Sequence, residues 1–178
     1  LRDVLRVVLR AGNRMNAGCS SGGASGFHLA TLHTLKSIKG KDKKTSLLHF
    51  IVKHICDNKP ELATEFINDL GPVSEASRVE PGTLRQDISF VSSNLSFLGE
   101  CLKMLTSSPE KAKIFHRSAK GRWKNILQTW DELLLKFDST LEYFGIEDQN
   151  ESEPNWGALF GIWTEFGKDF AEAKTALE

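Results

Sequence analysis

The sequence has few features that would support disulfide bonding, zinc binding or membrane insertion. Its three cysteines, Cys19, Cys56 and Cys101, are far apart and show no CxxC spacing, so they predict neither a disulfide framework nor a zinc site. They favour a reducing, intracellular compartment. No apolar run approaches the roughly 20 residues that a membrane-spanning helix needs, and no signal-peptide pattern opens the chain. We therefore expect a soluble protein.

Motifs of enzyme active sites are also missing. The serines lie in no GxSxG elbow, and no cysteine and histidine are placed as a nucleophile and its base. The glycine-rich segment 18–26 follows no predicted strand and precedes no GKS or GKT, which argues against a nucleotide-binding loop. The histidine pairs His28/His33 and His49/His54 are five residues apart, whereas a helical zinc site uses a spacing of four. We expect no enzymatic activity, no cofactor and no metal.

The formal net charge of zero conceals a strong asymmetry along the chain. Residues 1–60 carry 11 lysines and arginines against 3 acidic residues, a net charge of +8, and residues 61–178 carry −8. Five lysines lie within nine residues: Lys36, Lys39, Lys41, Lys43 and Lys44. An acidic partner would be steered toward this basic end.

Hydrophobic periodicity predicts short helices in the first part of the chain. A helix is predicted from Leu1 to about Asn16, and the glycines of 18–26 predict a loop. A short helix that carries Phe27, Leu29, Leu32 and Leu35 is predicted to end near Gly40. The next apolar stripe follows the spacing of a core-facing helix and comprises Leu47, Leu48, Ile51, Val52 and Ile55. Pro60 is predicted to open one more helix, which Gly71-Pro72 would close.

The second part of the chain predicts three long amphipathic helices. The first has a heptad-like repeat from Leu84 to Leu105, with Thr83 and Gln86 as a capping box. The second is predicted to start at Ser108-Pro109-Glu110 and to end near Phe144. The third is predicted to follow Pro154, after an acidic connection at 145–155.

These predictions together favour an all-α protein. Three long helices joined by short loops cover their apolar faces in an antiparallel, coiled-coil-like bundle. We predict an elongated helical bundle formed by residues 76–178. A smaller helical subdomain formed by residues 1–75 would lie at one end of it.

Five separately spaced elements in the first 50 residues resemble the formin homology 2 (FH2) domain. The family pattern runs roughly GNxMNxG, a Gly/Ala-rich loop ending in GF, leucines, a lysine, and TLLH. This chain has Gly12-Asn13-Arg14-Met15-Asn16-Ala17-Gly18, then Gly26-Phe27, the leucines of 29–35, Lys39, and Thr45-Ser46-Leu47-Leu48-His49. Arg14 differs from the family, which often has an aromatic residue there. The resemblance covers essentially the whole chain.

The resemblance implies that this chain is the C-terminal part of an FH2 domain, with the post and the coiled-coil region. The lasso, the linker and most of the knob would lie upstream of Leu1. In the family, the post receives the N-terminal lasso of a second subunit. The lasso-receiving residues would then be Gly12, Asn13, Met15, Asn16, Gly18, Gly26 and Phe27.

For the lysine cluster, the resemblance implies contact with actin, which is an acidic protein. The actin-contacting residues would be Lys36, Lys39, Lys41, Lys43 and Lys44. From the residues alone, a solvated basic turn without a partner and a site for acidic lipid headgroups stay open. Nucleic acid is disfavoured because no aromatic residue lies between the lysines to stack on bases.

The resemblance implies a cytoplasmic, cytoskeleton-associated protein that nucleates actin filaments and processively caps the barbed end. The complete FH2 domain would be a homodimer, whereas this chain alone would be a monomer. The alternative hypothesis is a helical scaffold whose basic end binds an anionic membrane or another acidic protein. Under the first hypothesis we expect neither nucleic-acid binding nor direct membrane contact.

Overall fold

The computed structural model describes residues 1–107, 109–146 and 156–177. This part of the chain folds into helices, which confirms the predicted all-α class. The helices are α1 (Arg2–Met15), a 3-10 helix (Leu29–Thr34), α2 (Leu47–Asn58), α3 (Pro60–Asp69), α4 (Gly71–Ala76), α5 (Pro81–Met104), α6 (Glu110–Phe144) and α7 (Trp156–Thr175). They form two compact units, residues 1–79 with 156–178, and residues 80–155.

The first unit has its core where α2, α3 and α7 meet. The predicted stripe of α2 supplies four residues that are almost fully buried, Leu48, Ile51, Val52 and Ile55. The helix begins after Ser46, whose hydroxyl accepts a hydrogen bond from the backbone N–H of His49 at 3.3 Å. Such a cap satisfies one of the free N–H groups at a helix start.

Aromatic side chains of α3 and α7 fill the centre of this core. Phe66 lies 5.7 Å from Phe166 and 4.9 Å from Phe170, measured between ring centroids. All three rings are 2% exposed or less. The Phe66–Phe166 pair is edge-to-face and the Phe66–Phe170 pair is tilted; aromatic pairs at such distances contribute about 0.5–1.5 kcal/mol each beyond the burial of their area. They join segments that are about 100 residues apart in the sequence.

The helix α7 differs in its packing from our prediction. We expected it to complete a bundle with the two preceding long helices, but it packs on α2, α3, α4 and the 3-10 helix. Its buried face packs into the first unit through its aromatic rings, two of which contact Phe66 of α3; the buried residues are Trp156, Leu159, Trp163, Phe166, Phe170 and Ala173. The core of the subdomain that we predicted for residues 1–75 therefore also includes α7.

The second unit consists of α5 and α6 packed as an antiparallel hairpin. The indole N–H of Trp123 donates to the hydroxyl of Ser92 at 2.9 Å, and Nε2 of His116 donates to the carbonyl oxygen of Leu95 at 3.0 Å. Helix α6 ends at Gly145, which has the left-handed φ of 62° that favours glycine at a helix end. None of the residues of α5 is fully buried.

Several predicted helix ends are shifted in the structure. The capping box at Thr83 is wrong, because α5 begins at Pro81 and the Thr83 hydroxyl donates to the Glu80 carboxylate at 3.1 Å. Gly71 and Pro72 open α4 instead of only closing α3. Ser108, Pro154 and most of the acidic connection lie outside the described residues. Among the described helices, none is long and apolar enough to cross a membrane.

Two glycines of α7 provide a matched test of this core. A Cβ on Gly167 would lie 2.7 Å from Cδ1 of the nearly buried Leu70, whereas a Cβ on Gly161 would meet nothing within 4 Å. We predict that Gly167→Ala lowers the free energy of unfolding by about 1–2 kcal/mol through overpacking. Gly161→Ala should raise it by about 0.5–1 kcal/mol, since alanine favours the helix. Urea unfolding measures the free energy of unfolding of both variants. If both variants were stabilised, or both destabilised, the result would contradict the described contact between Gly167 and Leu70.

Candidate functional site

An apolar groove lies between the end of α1, the glycine loop and the 3-10 helix. We call it the glycine groove; it has a volume of about 170 Å³. Six of the seven predicted lasso-receiving residues line it: Gly12, Asn13, Met15, Asn16, Gly26 and Phe27. Gly18 is the exception; it has a φ of 86°, so its role is to let the chain turn after α1.

The side chain of Asn13 holds the glycine loop against α1. Its Nδ2 donates to the carbonyl oxygen of Ala24, and its Oδ1 accepts from the backbone N–H of Ala24, both at 2.8 Å. The loop also approaches α1 closely, because a Cβ on Gly22 would lie 2.5 Å from the carbonyl oxygen of Asn16. An asparagine amide satisfies one donor and one acceptor at once, so Asn13 fixes one wall of the glycine groove.

Gly12 and Gly26 differ from Gly18, because neither has a backbone conformation that requires glycine. Neither has a positive φ, and a Cβ on either would meet nothing within 4 Å. Both line the glycine groove. Their lack of a side chain therefore leaves space in the groove instead of relieving strain.

Four of the five clustered lysines, Lys39, Lys41, Lys43 and Lys44, lie on a tight turn from Ile38 to Leu47. Antiparallel backbone hydrogen bonds close it, from Gly40 N to Thr45 O and from Leu47 N to Ile38 O, both 2.8 Å. Asp42 shapes its tip by accepting from the backbone N–H groups of Lys44 and Thr45 at 3.1 Å and from the Thr45 hydroxyl. These bonds, that of the Thr45 hydroxyl foremost, lower the pKa of Asp42 below its ordinary value of 3.8.

Lys36 is separated from the other four lysines by its contacts with α7. Its Nζ lies 2.5 Å from a carboxylate oxygen of Asp169 and 3.1 Å from one of Glu172. The Asp169 bond, followed by the Glu172 bond, raises the pKa of Lys36. One turn away along α7, Glu165 lies 2.9 Å from Nδ1 of His33. The charge of Lys36 is therefore compensated within the first unit.

Lys39, Lys41, Lys43 and Lys44 form no ion pair with a described residue. Lys39 and Lys41 line a second groove, of about 580 Å³, which we call the lysine groove. Lys43 and Lys44 lie on the same turn outside it. Fixing cations on a rigid turn reduces the conformational entropy that a partner must remove on binding.

The lysine groove also contains an aromatic side chain that we did not predict. Phe50 of α2 lines it and is 59% exposed, although the apolar stripe of that helix is buried. The sequence did indicate this exposure, because Phe50 lies outside the apolar stripe formed by Leu48, Ile51 and Val52. Met15, Ile38 and Leu47 line both grooves, so the two grooves are neighbours on one surface. Sequence reasoning did not predict this adjacency.

His49 and Ser46 lie in hydrogen-bond contact, as the base and the nucleophile of a catalytic pair do, but the serine is not accessible. Its Nδ1 lies 2.7 Å from the hydroxyl of Ser46, but Ser46 is only 1% exposed and caps α2. The contact is therefore structural. Within the described ranges, no group of three or more His, Cys, Asp or Glu side chains is arranged to hold a metal ion.

Asp42 provides a test of the lysine turn. We predict that Asp42→Ala makes the amide protons of Lys44 and Thr45 exchange several-fold faster, because both lose their acceptor. The pKa of Asp42 is lowered in the folded state. The stability that its carboxylate gives to the turn is therefore present above pH 3.8 and is lost as pH falls through the folded-state pKa. NMR hydrogen exchange over this range measures both effects. Asp57→Ala is the control, because Asp57 contacts Lys53 in α2 instead; equal rates in wild type and Asp42→Ala would contradict the turn geometry.

Comparison with known proteins agrees with the sequence motifs. The chain matches the family described as Formin Homology 2 Domain over residues 1–171. It is 31% identical to human protein diaphanous homolog 3 over 81% of the chain, and 30% identical to formin-like protein 9 of Oryza sativa subsp. japonica over 92%. It is 29% identical to human formin-like protein 1 over its full length.

The chain spans only 13%, 22% and 16% of the lengths of these three relatives. Their similarity therefore concerns one region of each protein. The family match nevertheless covers nearly the whole chain, and six of the seven residues of the predicted receiving surface meet in one groove. This chain belongs to the formin homology 2 domain family.

Proposed function

We propose that this chain is the actin-contacting part of a formin that nucleates actin filaments and stays on the barbed end while subunits add. The observation that carries the proposal is the rigid turn with four lysines that form no ion pair with a described residue. Actin is an acidic protein, so the charges are complementary. The proposed role is binding without covalent catalysis, in a cytoplasmic protein associated with the cytoskeleton.

The lysine groove supports this proposal by its chemistry. Lys39 and Lys41 stand beside exposed apolar surface from Met15 and Phe50, which are 54% and 59% exposed. Interface centres commonly combine aromatic and apolar anchors with a charged rim. An actin surface with acidic residues around an apolar patch would complement this arrangement.

The glycine groove is proposed as the receiving surface for the lasso of a second subunit. Its support is the convergence of Gly12, Gly26 and Phe27 on a small apolar space whose wall is held by Asn13. An aromatic side chain inserted there would be desolvated on several sides. In the complete FH2 domain this contact would form a homodimer, whereas the chain alone would stay a monomer.

The first prediction concerns Lys39 in a complete FH2 domain that contains this chain. Lys39→Asp should weaken barbed-end binding by about tenfold, because reversing a charge replaces attraction by repulsion. Elongation of labelled filaments by microscopy measures the affinity and the residence time. Unchanged elongation would remove Lys39 from the proposed site.

The matched control is Lys168→Asp, which makes the same charge change on an exposed position of α7. It should leave barbed-end binding unaltered. Co-sedimentation with anionic vesicles at two salt concentrations tests the membrane hypothesis on the same variants. Vesicle binding that depends on Lys39, without actin binding, would contradict the proposal and favour the alternative.

The second prediction concerns dimerisation. Gly12→Leu should keep the fold, since a Cβ there meets nothing within 4 Å and leucine favours helices. The larger side chain would occupy the glycine groove and weaken the dimer of the complete domain by tenfold or more. Sedimentation velocity over a range of concentrations measures the dissociation constant.

Gly161→Leu is the control for Gly12→Leu, because its Cβ also meets open space but it lies on α7, outside the glycine groove. It should leave the dimer intact. The chain of residues 1–178 should sediment as a monomer. A stable dimer of this chain alone, or dimerisation insensitive to Gly12→Leu, would disprove the receiving role.

A further inference from the structure

A second basic surface lies on the α5–α6 hairpin of the second unit, apart from the lysine turn. A groove of about 830 Å³ runs between the two helices, and we call it the hairpin groove. Its basic residues are Lys103, Lys113, Arg117, Lys120 and Lys124. Its floor contains Leu102, Trp123 and Leu127. The net charge of residues 61–178 does not reveal this surface, because these residues are acidic in total.

The charges of the hairpin groove are largely uncompensated. No carboxylate of the described chain lines it. Of the basic residues in the groove, Lys113 lies 3.9 Å from a carboxylate oxygen of Glu110, whose side chain is 74% exposed. An exposed pair at that distance contributes little. The groove therefore presents a positive potential to solvent.

The basic residues of α6 follow a regular helical spacing. Lys113, Arg117, Lys120 and Lys124 are separated by steps of four, three and four residues, so they form one stripe along the helix. With a rise of 1.5 Å per residue, the stripe is about 16 Å long. It flanks the apolar floor in the way that charged residues flank the apolar seam of a coiled coil.

Two glycines of the hairpin groove have different roles. Gly99 and Gly121 line it, and a Cβ on Gly121 would meet nothing within 4 Å. A Cβ on Gly99 would lie 2.9 Å from Nε2 of His116, whose ring is held by the carbonyl oxygen of Leu95. Gly99 therefore lets His116 pack closely against α5, whereas Gly121 leaves open space in the groove.

We propose that the hairpin groove binds an acidic amphipathic helix of a partner protein. Its carboxylates would repeat at steps of four and three residues, beside apolar side chains that cover Leu102, Trp123 and Leu127. This proposal goes beyond the proposed actin contact, because it concerns other residues in the other unit.

The shape of the groove favours a helix over a bilayer or a nucleic acid. Its apolar side chains are half-buried at the floor between the cations, so they do not protrude as membrane-inserting groups do. Among the described residues that line the groove, Trp123 is the one Phe, Tyr or Trp side chain, whereas single-stranded nucleic acids stack successive bases on several aromatic rings. A helix can reach the floor, because side chains project from it along a narrow stripe.

The test uses the 178-residue chain and a synthetic 21-residue helical peptide with glutamates at that repeat beside leucines. A second peptide has the same composition with the glutamates out of phase. Fluorescence anisotropy measures binding at two salt concentrations. We expect the phased peptide to bind at least about fivefold more tightly, and its affinity to fall with salt. Equal affinity of both peptides would overturn the proposal, and this comparison needs no variant.

Matched charge reversals locate the binding surface. The triple variant Arg117→Glu, Lys120→Glu, Lys124→Glu changes the hairpin groove, and the triple variant Lys111→Glu, Arg122→Glu, Lys136→Glu makes the same charge change elsewhere on α6. All six residues are exposed, and circular dichroism verifies the fold. The first variant should lose about tenfold or more in affinity and the second less than about twofold. Equal losses would overturn the proposal.

Vesicles of phosphatidylcholine and phosphatidylserine and a 20-base-pair DNA duplex serve as the competing anionic ligands. If either ligand binds the wild-type chain, the groove variant and the control variant should reduce that binding equally. If the groove variant instead abolishes the binding of one ligand and the control variant preserves it, while the phased peptide fails to bind, the surface recognises that ligand and the proposal of an acidic helix is wrong.

Discussion

The packing of three phenylalanine rings between α3 and α7 is the interaction on which the first unit depends. Phe66, Phe166 and Phe170 are almost fully buried and lie with centroids 4.9–6.2 Å apart. The hydrophobic effect and the edge-to-face geometry both favour this arrangement. Because α7 is held there, its carboxylates reach His33 in the 3-10 helix and Lys36, two residues after that helix ends. The core thus decides which charges of the first unit are compensated.

Charge compensation divides the lysine cluster into two parts with different roles. Lys36 is paired with Asp169 and Glu172, which raise its pKa and fasten the end of the 3-10 helix region to α7. The other four lysines project from a turn that Asp42 shapes through hydrogen bonds to its own backbone. The paired lysine helps to position the turn, and the turn presents the others. A cluster that looks uniform in the sequence therefore contains one lysine that is paired within the fold and four that form no ion pair with a described residue.

The two proposed binding surfaces share a physical design despite lying in different units. In the lysine groove and in the hairpin groove, basic side chains lie beside apolar ones. Charge steers an acidic partner to the surface, whereas the apolar side chains contribute affinity once water is excluded. Helical or looped protein segments can use both.

The sequence by itself determined the helical class, the glycine loop, the lysine turn and the family, because periodicity, turn residues and ordered motifs are local properties of the chain. It also predicted six residues that meet in the glycine groove. The tertiary structure decided the partner of α7, the pairing of Lys36 with carboxylates more than 130 residues away, the adjacency of the two grooves at Met15, and the basic hairpin groove. These features depend on which faces meet in space. An amphipathic pattern shows that a face will be buried, but the shape and volume of the side chains on the opposing surface select its partner.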